Sequence, residues 1–132
     1  MQNISEMLDL PFNHTVTIII ITVIISMVAF SNQNVMNRLI FWPPAMQRGQ
    51  YDRFITHGFI HADGMHLLFN MFTLFFFGSI IESFYRQYFY ELGFILFYLG
   101  GLIFAILPSY LKHKNDVRWA SLGASGAVSA VL

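Results

Sequence analysis

The sequence has no cysteine among its 132 residues and few charged side chains. Without cysteine, the chain can form no disulfide, thiol nucleophile or thiolate metal site. Only 11% of the residues are charged, whereas an average soluble domain carries roughly 25%. Seven basic and seven acidic side chains give a formal net charge of zero. That balance gives no electrostatic reason to expect nucleic acid as a partner.

The sequence is rich in apolar residues. They make up 56% of the chain, 15 of them are phenylalanine, and the mean hydropathy is +0.58. This composition is typical of a membrane protein, and we predict the all-α class, a polytopic bundle of membrane helices. The first fourteen residues contain no Lys or Arg, unlike the basic start of a signal peptide. We therefore expect the first apolar segment to be retained as a helix.

Four apolar segments predict membrane spans, at about residues 15–30, 66–84, 92–107 and 121–132. Pro108 is expected to end the third. The fourth stops after about a dozen residues, where a membrane span needs roughly 20. We therefore expect residues 1–132 to be a single membrane domain that is incomplete at its C-terminal end.

The connection between the first two spans, residues 31–63, is long and rich in apolar side chains. Trp42 and Tyr51 suit the headgroup region of a bilayer, and Pro43-Pro44 is expected to break any helix there. Because an apolar loop of this length would be poorly solvated, we predict that it lies partly buried at the membrane interface. An ordinary external loop is the alternative.

Two polar clusters stand at the beginnings of predicted spans. His66 and Asn70 are four residues apart, so they share one face of a helix. The second cluster is Gly123-Ala124-Ser125-Gly126. Because successive spans alternate in direction, the second and fourth spans enter the bilayer from the same face. Polar side chains in a membrane need a partner or a function, and we predict that the two clusters meet.

Ser125 has surroundings that suit a nucleophile. Gly123 and Gly126 leave the backbone open to a substrate carbonyl. The start of a helix presents free N–H groups that stabilise a developing oxyanion, and His66 and Asn70 could donate further hydrogen bonds. The alternative is that Ser125 and the two glycines serve only close helix packing, and that His66 is an interfacial histidine with satisfied hydrogen bonds.

Two further histidines, His57 and His61, are expected to be structural and to form hydrogen bonds within the first loop. Together with His66 they could suggest a metal site, but Gly58 and Asp63-Gly64 interrupt any single helix through them. We therefore predict no metal and no cofactor. Glu82, near the end of the second span, is expected to anchor the helix end rather than act as a catalytic acid.

The pair of motifs resembles the rhomboid intramembrane serine proteases, whose pattern is HxxxN at the head of the second span and GxSG at the head of the fourth. His57, His61, Glu82 and the long first loop resemble the family as well. The resemblance implies that Ser125 is the nucleophile and that His66 and Asn70 form part of the oxyanion hole. It also implies a six-helix fold, transmembrane proteins as substrates, the lipid bilayer as surroundings and, we expect, the bacterial inner membrane as location.

The sequence departs from the family pattern at two places. Asp52-Arg53 stands where the family often has Trp-Arg. The family's catalytic base is a histidine on the sixth span, and none of the five histidines in this chain matches it: His14, His57, His61, His66 and His113. A serine without a base is a weak nucleophile, so we expect this chain to be inactive alone.

Two other functions and one question of orientation stay open. A non-catalytic rhomboid-like protein that binds transmembrane helices is the main alternative to a protease. A transporter or channel has little support, because Glu82 is the only acid inside a predicted span. The positive-inside rule would place the first and third loops in the cytoplasm, whereas the family arrangement, which we expect, places them outside. The basic residues concerned are Arg38, Arg48, Arg53, Lys112, Lys114 and Arg118.

Overall fold

The fold is an all-helical bundle, as the composition predicts. The computed structural model describes residues 14–89 and 92–131, and within these ranges it has no β-strand beyond one isolated bridge. In chain order the helices are α1 (His14–Ser31), α2 (Gln33–Leu39), α3 (Pro43–Gln47), α4 (Arg53–Thr56), a 3₁₀ turn (His57–Phe59), α5 (Gly64–Phe89), α6 (Leu92–His113) and α7 (Ser125–Val131).

Three helices are long and apolar enough to cross a membrane: α1, the Gly64–Tyr85 part of α5, and α6. Their outward faces carry large apolar side chains, such as Phe72 and Phe104. The inward face of α1 is lined partly by small hydroxyl side chains, Thr15, Thr22 and Ser26, all fully buried. In lipid, apolar side chains gain little by turning inward, so small residues that allow close packing occupy the helix contacts.

Glu82 joins α5 to the beginning of α1. Its carboxylate accepts hydrogen bonds from the backbone N–H groups of His14 and Thr15, at 2.9 and 2.8 Å, and from the Thr15 hydroxyl at 2.8 Å. The side chain is only 2% exposed. The carboxylate thus satisfies N–H groups that the helix itself leaves unpaired. Glu82 therefore anchors the N-terminus of α1, whereas the sequence predicts that it anchors the end of its own span.

The first loop is folded, and Pro43-Pro44 does not prevent a helix there. Those two prolines begin α3, because proline at the first helical position loses no hydrogen bond and already has a helical φ. Phe41 and Met46 are completely buried and pack with Ile106 in a second apolar core. The first loop is therefore packed against the bundle, and its position at the membrane interface stays a prediction.

Arg53 holds the first loop in shape. Its guanidinium donates hydrogen bonds to the carbonyl oxygens of Asn37 and Ile40, at 2.9 and 2.6 Å, and to Gln50 Oε1 at 2.9 and 2.8 Å. Arg53 is 5% exposed. The arginine therefore stabilises the loop even though Asp52 stands where the family often has tryptophan.

The first loop meets the third loop, residues 114–124 between α6 and α7, at one end of the bundle. Phe41 and Ser121 exchange backbone hydrogen bonds of 2.9 and 3.0 Å. The Trp42 indole N–H donates to the carbonyl of Val117 at 2.9 Å. The two predicted polar clusters follow these loops, so they enter the bundle from the same end.

Three predicted boundaries differ in the structure. Helix α5 continues to Phe89, whereas the sequence predicts that the second span ends at about residue 84. Helix α6 continues through Pro108 to His113, partly because Tyr110, beyond the proline, packs edge-on against Phe41 and Phe54. Helix α7 begins at Ser125 rather than at residue 121, because Ser121 pairs with Phe41 in an extended conformation. Leu132, the end of the predicted fourth span, lies outside the described residues.

Candidate active site

Ser125 is the first residue of α7, and its side chain is exposed. The helix begins here because the Ala124 carbonyl accepts its first hydrogen bond, from the N–H of Val128 at 2.9 Å. Just before it, Gly123 has φ +110°, a conformation that other residues rarely adopt. The N–H of Gly123 donates to the His57 carbonyl at 2.8 Å. The serine thus follows a sharp turn fastened to the first loop.

Glycine is required at position 126 for a different structural reason than at position 123. A Cβ atom at this position would overlap the Cβ of Ala105 on α6. Glycine is needed there for space rather than for its backbone angles. The packing interpretation of this motif therefore applies to Gly126, whereas the exposed side chain of Ser125 takes no part in a buried helix contact.

His61 connects α1 to the segment that carries the serine. Its Nε2 accepts a hydrogen bond from the Ala124 N–H at 3.2 Å, and its Nδ1 lies 3.1 Å from Ser26 Oγ. Since the Ser26 hydroxyl donates to the Phe59 carbonyl at 2.9 Å, we assign the proton of neutral His61 to Nδ1. Burial, with a smaller contribution from His66, lowers the pKa of His61 to about 4.

The prediction for the two structural histidines is half right. His57 does bond within the first loop, where its Nδ1 lies 2.9 Å from the Arg53 carbonyl. His61 instead bonds outside the loop, to Ser26 and Ala124. A polar serine in an apolar helix was the only sequence signal for that contact.

His66 and Asn70 lie near the start of α5. The His66 ring is exposed, and its centroid is 6.1 Å from that of His61. His61 thus contacts Ala124 on one side and His66 on the other. Leu67 of α5 belongs to the same apolar core as Ala124, so the start of α5 packs near the residue before Ser125. Neither His66 nor Asn70 lines the cavity beside Ser125, and the meeting of the two polar clusters stays a prediction.

Asn70 has an unusual amide. Its Nδ2 is buried and has no hydrogen-bond partner among the described residues. A buried donor without a partner costs about 1–3 kcal/mol. Such a group is therefore available to a ligand that offers an oxygen atom.

A polar cavity of about 190 Å³ lies beside the serine. Its polar side chains are His57, Ser109, Ser121 and Ser125. Burial lowers the pKa of His57, which favours the neutral ring. The cavity has room for several water molecules and polar groups to hold them. Ser109 and Ser121 were not singled out in the sequence, where isolated serines carry no functional signal.

No metal site is evident in residues 14–89 and 92–131. No group of three or more His, Asp and Glu side chains in these ranges could hold an ion.

These features define a class: a polytopic helical membrane protein in which an exposed serine begins a short helix beside a polar cavity, directly after a residue held by a buried histidine. Comparison with known proteins gives the family. The model of the rhomboid domain matches residues 48–132, and the chain belongs to the rhomboid family.

Individual relatives agree with this assignment. The chain is 32% identical over 126 residues to the protein named rhomboid protease GlpG of Enterobacter sp. (strain 638), covering 92% of this chain and 41% of that protein. It is 31% identical over 115 residues to the RHOMBOID-like protein 12, mitochondrial, of Arabidopsis thaliana, covering 78% of this chain and 34% of the relative. A GlpG of Klebsiella pneumoniae is 29% identical over 124 residues. The chain thus spans well under half the length of these relatives.

Proposed function

We propose that the whole protein is an intramembrane serine endopeptidase that cleaves peptide bonds in or near the transmembrane helices of its substrates. The observation that carries the proposal is the exposed hydroxyl of Ser125 at the start of α7, beside a polar cavity. The buried, unpartnered amide of Asn70 on α5 supports it. Membership of a family that includes named proteases supports it.

In the proposed mechanism, Ser125 Oγ attacks the scissile carbonyl and passes its proton to a histidine base. His61 cannot be that base, because both of its ring nitrogens are already in hydrogen bonds. The base is a histidine beyond Leu132, as the family resemblance implies. The C–N bond then breaks, the base protonates the leaving amine, and water hydrolyses the acyl-enzyme.

The oxyanion is held by N–H groups at the start of α7 together with His66 and Asn70. The buried, unpartnered Nδ2 of Asn70 can donate to the substrate oxygen, and this hydrogen bond strengthens as the oxygen gains negative charge, which favours the transition state over the bound substrate. The cavity shared by His57 and Ser125 supplies the water for the second step.

We further propose that the protein resides in the bacterial inner membrane. The GlpG relatives are bacterial, whereas the Arabidopsis relative is named mitochondrial. The described helices support an integral membrane protein in either case.

The test is cleavage of a model transmembrane substrate by the full-length protein in liposomes. Ser125→Ala should abolish cleavage, while Ser129→Ala, an exposed serine about one turn further along the same helix, should leave it unchanged. Asn70→Ala should lower kcat by about 10²–10³, the usual effect of losing one oxyanion donor. Cleavage by Ser125→Ala would refute the proposal.

The coding sequence after Leu132 offers an independent test. The proposal expects two further apolar segments, with a histidine in the second. If that histidine is absent, and the wild-type protein binds the model helix without cutting it, the non-catalytic alternative is correct.

A further inference from the structure

A second cavity lies in the folded first loop, away from the serine. It measures about 560 Å³ and is lined by Asn37, Arg38, Ile40, Trp42, Arg53 and Ala120. None of these residues lines the cavity beside Ser125. Its volume is within the range of small-molecule sites, roughly 300–1,000 Å³.

The cavity lies where headgroups of the bilayer are expected. It is built from the loops at the end of the bundle where α1 ends, at Ser31, and α5 begins, at Gly64. The membrane-spanning segments stop at that level, so the adjoining side chains reach the polar layer. Trp42, a residue type enriched at this depth, forms part of the wall.

Positive charge exceeds negative charge around this cavity. Arg53 is buried in its wall, and Arg38 is about half exposed with its guanidinium 2.9 Å from Asp52 Oδ2. Arg48 lies over the Trp42 ring at 5.3 Å. Burial, followed by the charges of Arg38 and Arg48, lowers the pKa of Arg53 despite the opposing effect of Asp52. The three guanidinium groups therefore act on one another, with one carboxylate to balance them.

We propose that this cavity binds an anionic phospholipid, with the headgroup phosphate on Arg38. The guanidinium fork matches two phosphate oxygens, and the exposed carboxylate of Asp52 can give up its place. The apolar part of the lining, Ile40, Trp42 and Ala120, suits the glycerol and the first acyl carbons. That apolar lining favours a lipid over a soluble anion. The proposal does not rest on peptidase activity, because binding is measured without substrate.

The chain provides its own probe for this site. Trp42 and Trp119 are its two tryptophans, and Trp42 lines the cavity. In a Trp119→Phe background, fluorescence therefore reports Trp42 alone. The protein is placed in vesicles of dioleoylphosphatidylcholine to which brominated phosphatidylglycerol is added, and quenching gives the affinity of the site. Brominated phosphatidylcholine serves as the neutral comparison.

Two variants that should change the lipid preference in opposite directions test the role of Arg38. Arg38→Gln should weaken the preference for phosphatidylglycerol about fivefold, the effect of one basic side chain near a membrane surface. Asp52→Asn frees Arg38 from its partner and should strengthen the preference by a similar factor. Arg118→Gln, an exposed arginine of the third loop that does not line the cavity, is the matched control for the general attraction of a basic side chain to anionic lipid and should weaken the preference less than Arg38→Gln.

Several results would overturn the proposal. Equal quenching by the two brominated lipids would mean a non-selective apolar groove. Relief of quenching by millimolar inorganic phosphate would identify the ligand as a soluble anion. If Arg38→Gln lowered the thermal stability of the protein, Asp52→Asn would decide alone, and an unchanged preference in that variant would refute the site.

Discussion

Acidification should release the contact between His61 and the serine segment. The ring is buried and neutral, and its Nε2 accepts the N–H of Ala124. Protonation of Nε2 removes that acceptor. The pKa of His61 is lowered from its ordinary value of 6.5 to about 4, so the folded protein resists protonation over a pH range in which the unfolded chain accepts it.

The difference between the pKa of His61 in the folded and the unfolded protein sets the size and the sign of the change in stability with pH. His61 contributes its full stability above the unfolded pKa, and the contribution falls as the pH drops from 6.5 toward about 4. The complete shift corresponds to about 3 kcal/mol, and going from pH 7 to pH 5 should cost about 2 kcal/mol of unfolding free energy.

The assay is unfolding of the protein in mixed micelles at pH 7 and at pH 5, with His61→Gln as the comparison. Gln carries an amide that can replace the hydrogen bond to Ala124 but does not titrate. His57 and His66 are present in both proteins, so their effects cancel in the difference. Exchange of the Ala124 amide proton should accelerate at pH 5 in the wild-type protein only. Equal pH dependence of the two proteins would refute the reasoning.

Three further substitutions test the framework of the site and the bundle by the same unfolding assay. Gly126→Ala should cost about 1–3 kcal/mol through overlap with Ala105, and adding Ala105→Gly should restore most of that loss; failure of this rescue would contradict the packing role. Gly123→Ala should cost about 1–2 kcal/mol because of the positive φ, and a neutral effect would mean that the turn relaxes. Glu82→Gln should cost about 1–2 kcal/mol through weaker capping of α1, more than Thr15→Ala, which removes only one of the bonds; the reverse order would be inconsistent with the cap.

The spans and the family could be predicted from sequence because each depends on local information. A run of apolar residues in lipid has to satisfy its own backbone hydrogen bonds, so it becomes a helix. The spacing from His66 to Asn70 and the motif around Ser125 are likewise short patterns. The roles of these three residues in catalysis stay predictions until activity is measured.

The remaining features depend on contacts between distant parts of the chain. Arg53 finds its acceptors on the carbonyls of Asn37 and Ile40, and nothing in the local sequence points to them. Pro43-Pro44 suggested a break because proline is unfavourable inside a helix, but at a helix start the same residue is favourable. His61 is the clearest case that local sequence could not predict. One of its hydrogen-bond partners, Ser26, lies on α1, and the other, Ala124, follows α6.

The bridge between Phe41 and Ser121 has a consequence for the order in which the protein forms. The three long helices can enter the membrane one after another, each by its own apolar surface. The bridge joins residues separated by two of those helices, so it cannot exist until the third has been inserted and the chain after it has been synthesised. Contacts that close such long loops form late. During biogenesis the membrane therefore holds the three long helices before the turn at Gly123 and the start of α7 can be fastened to the first loop.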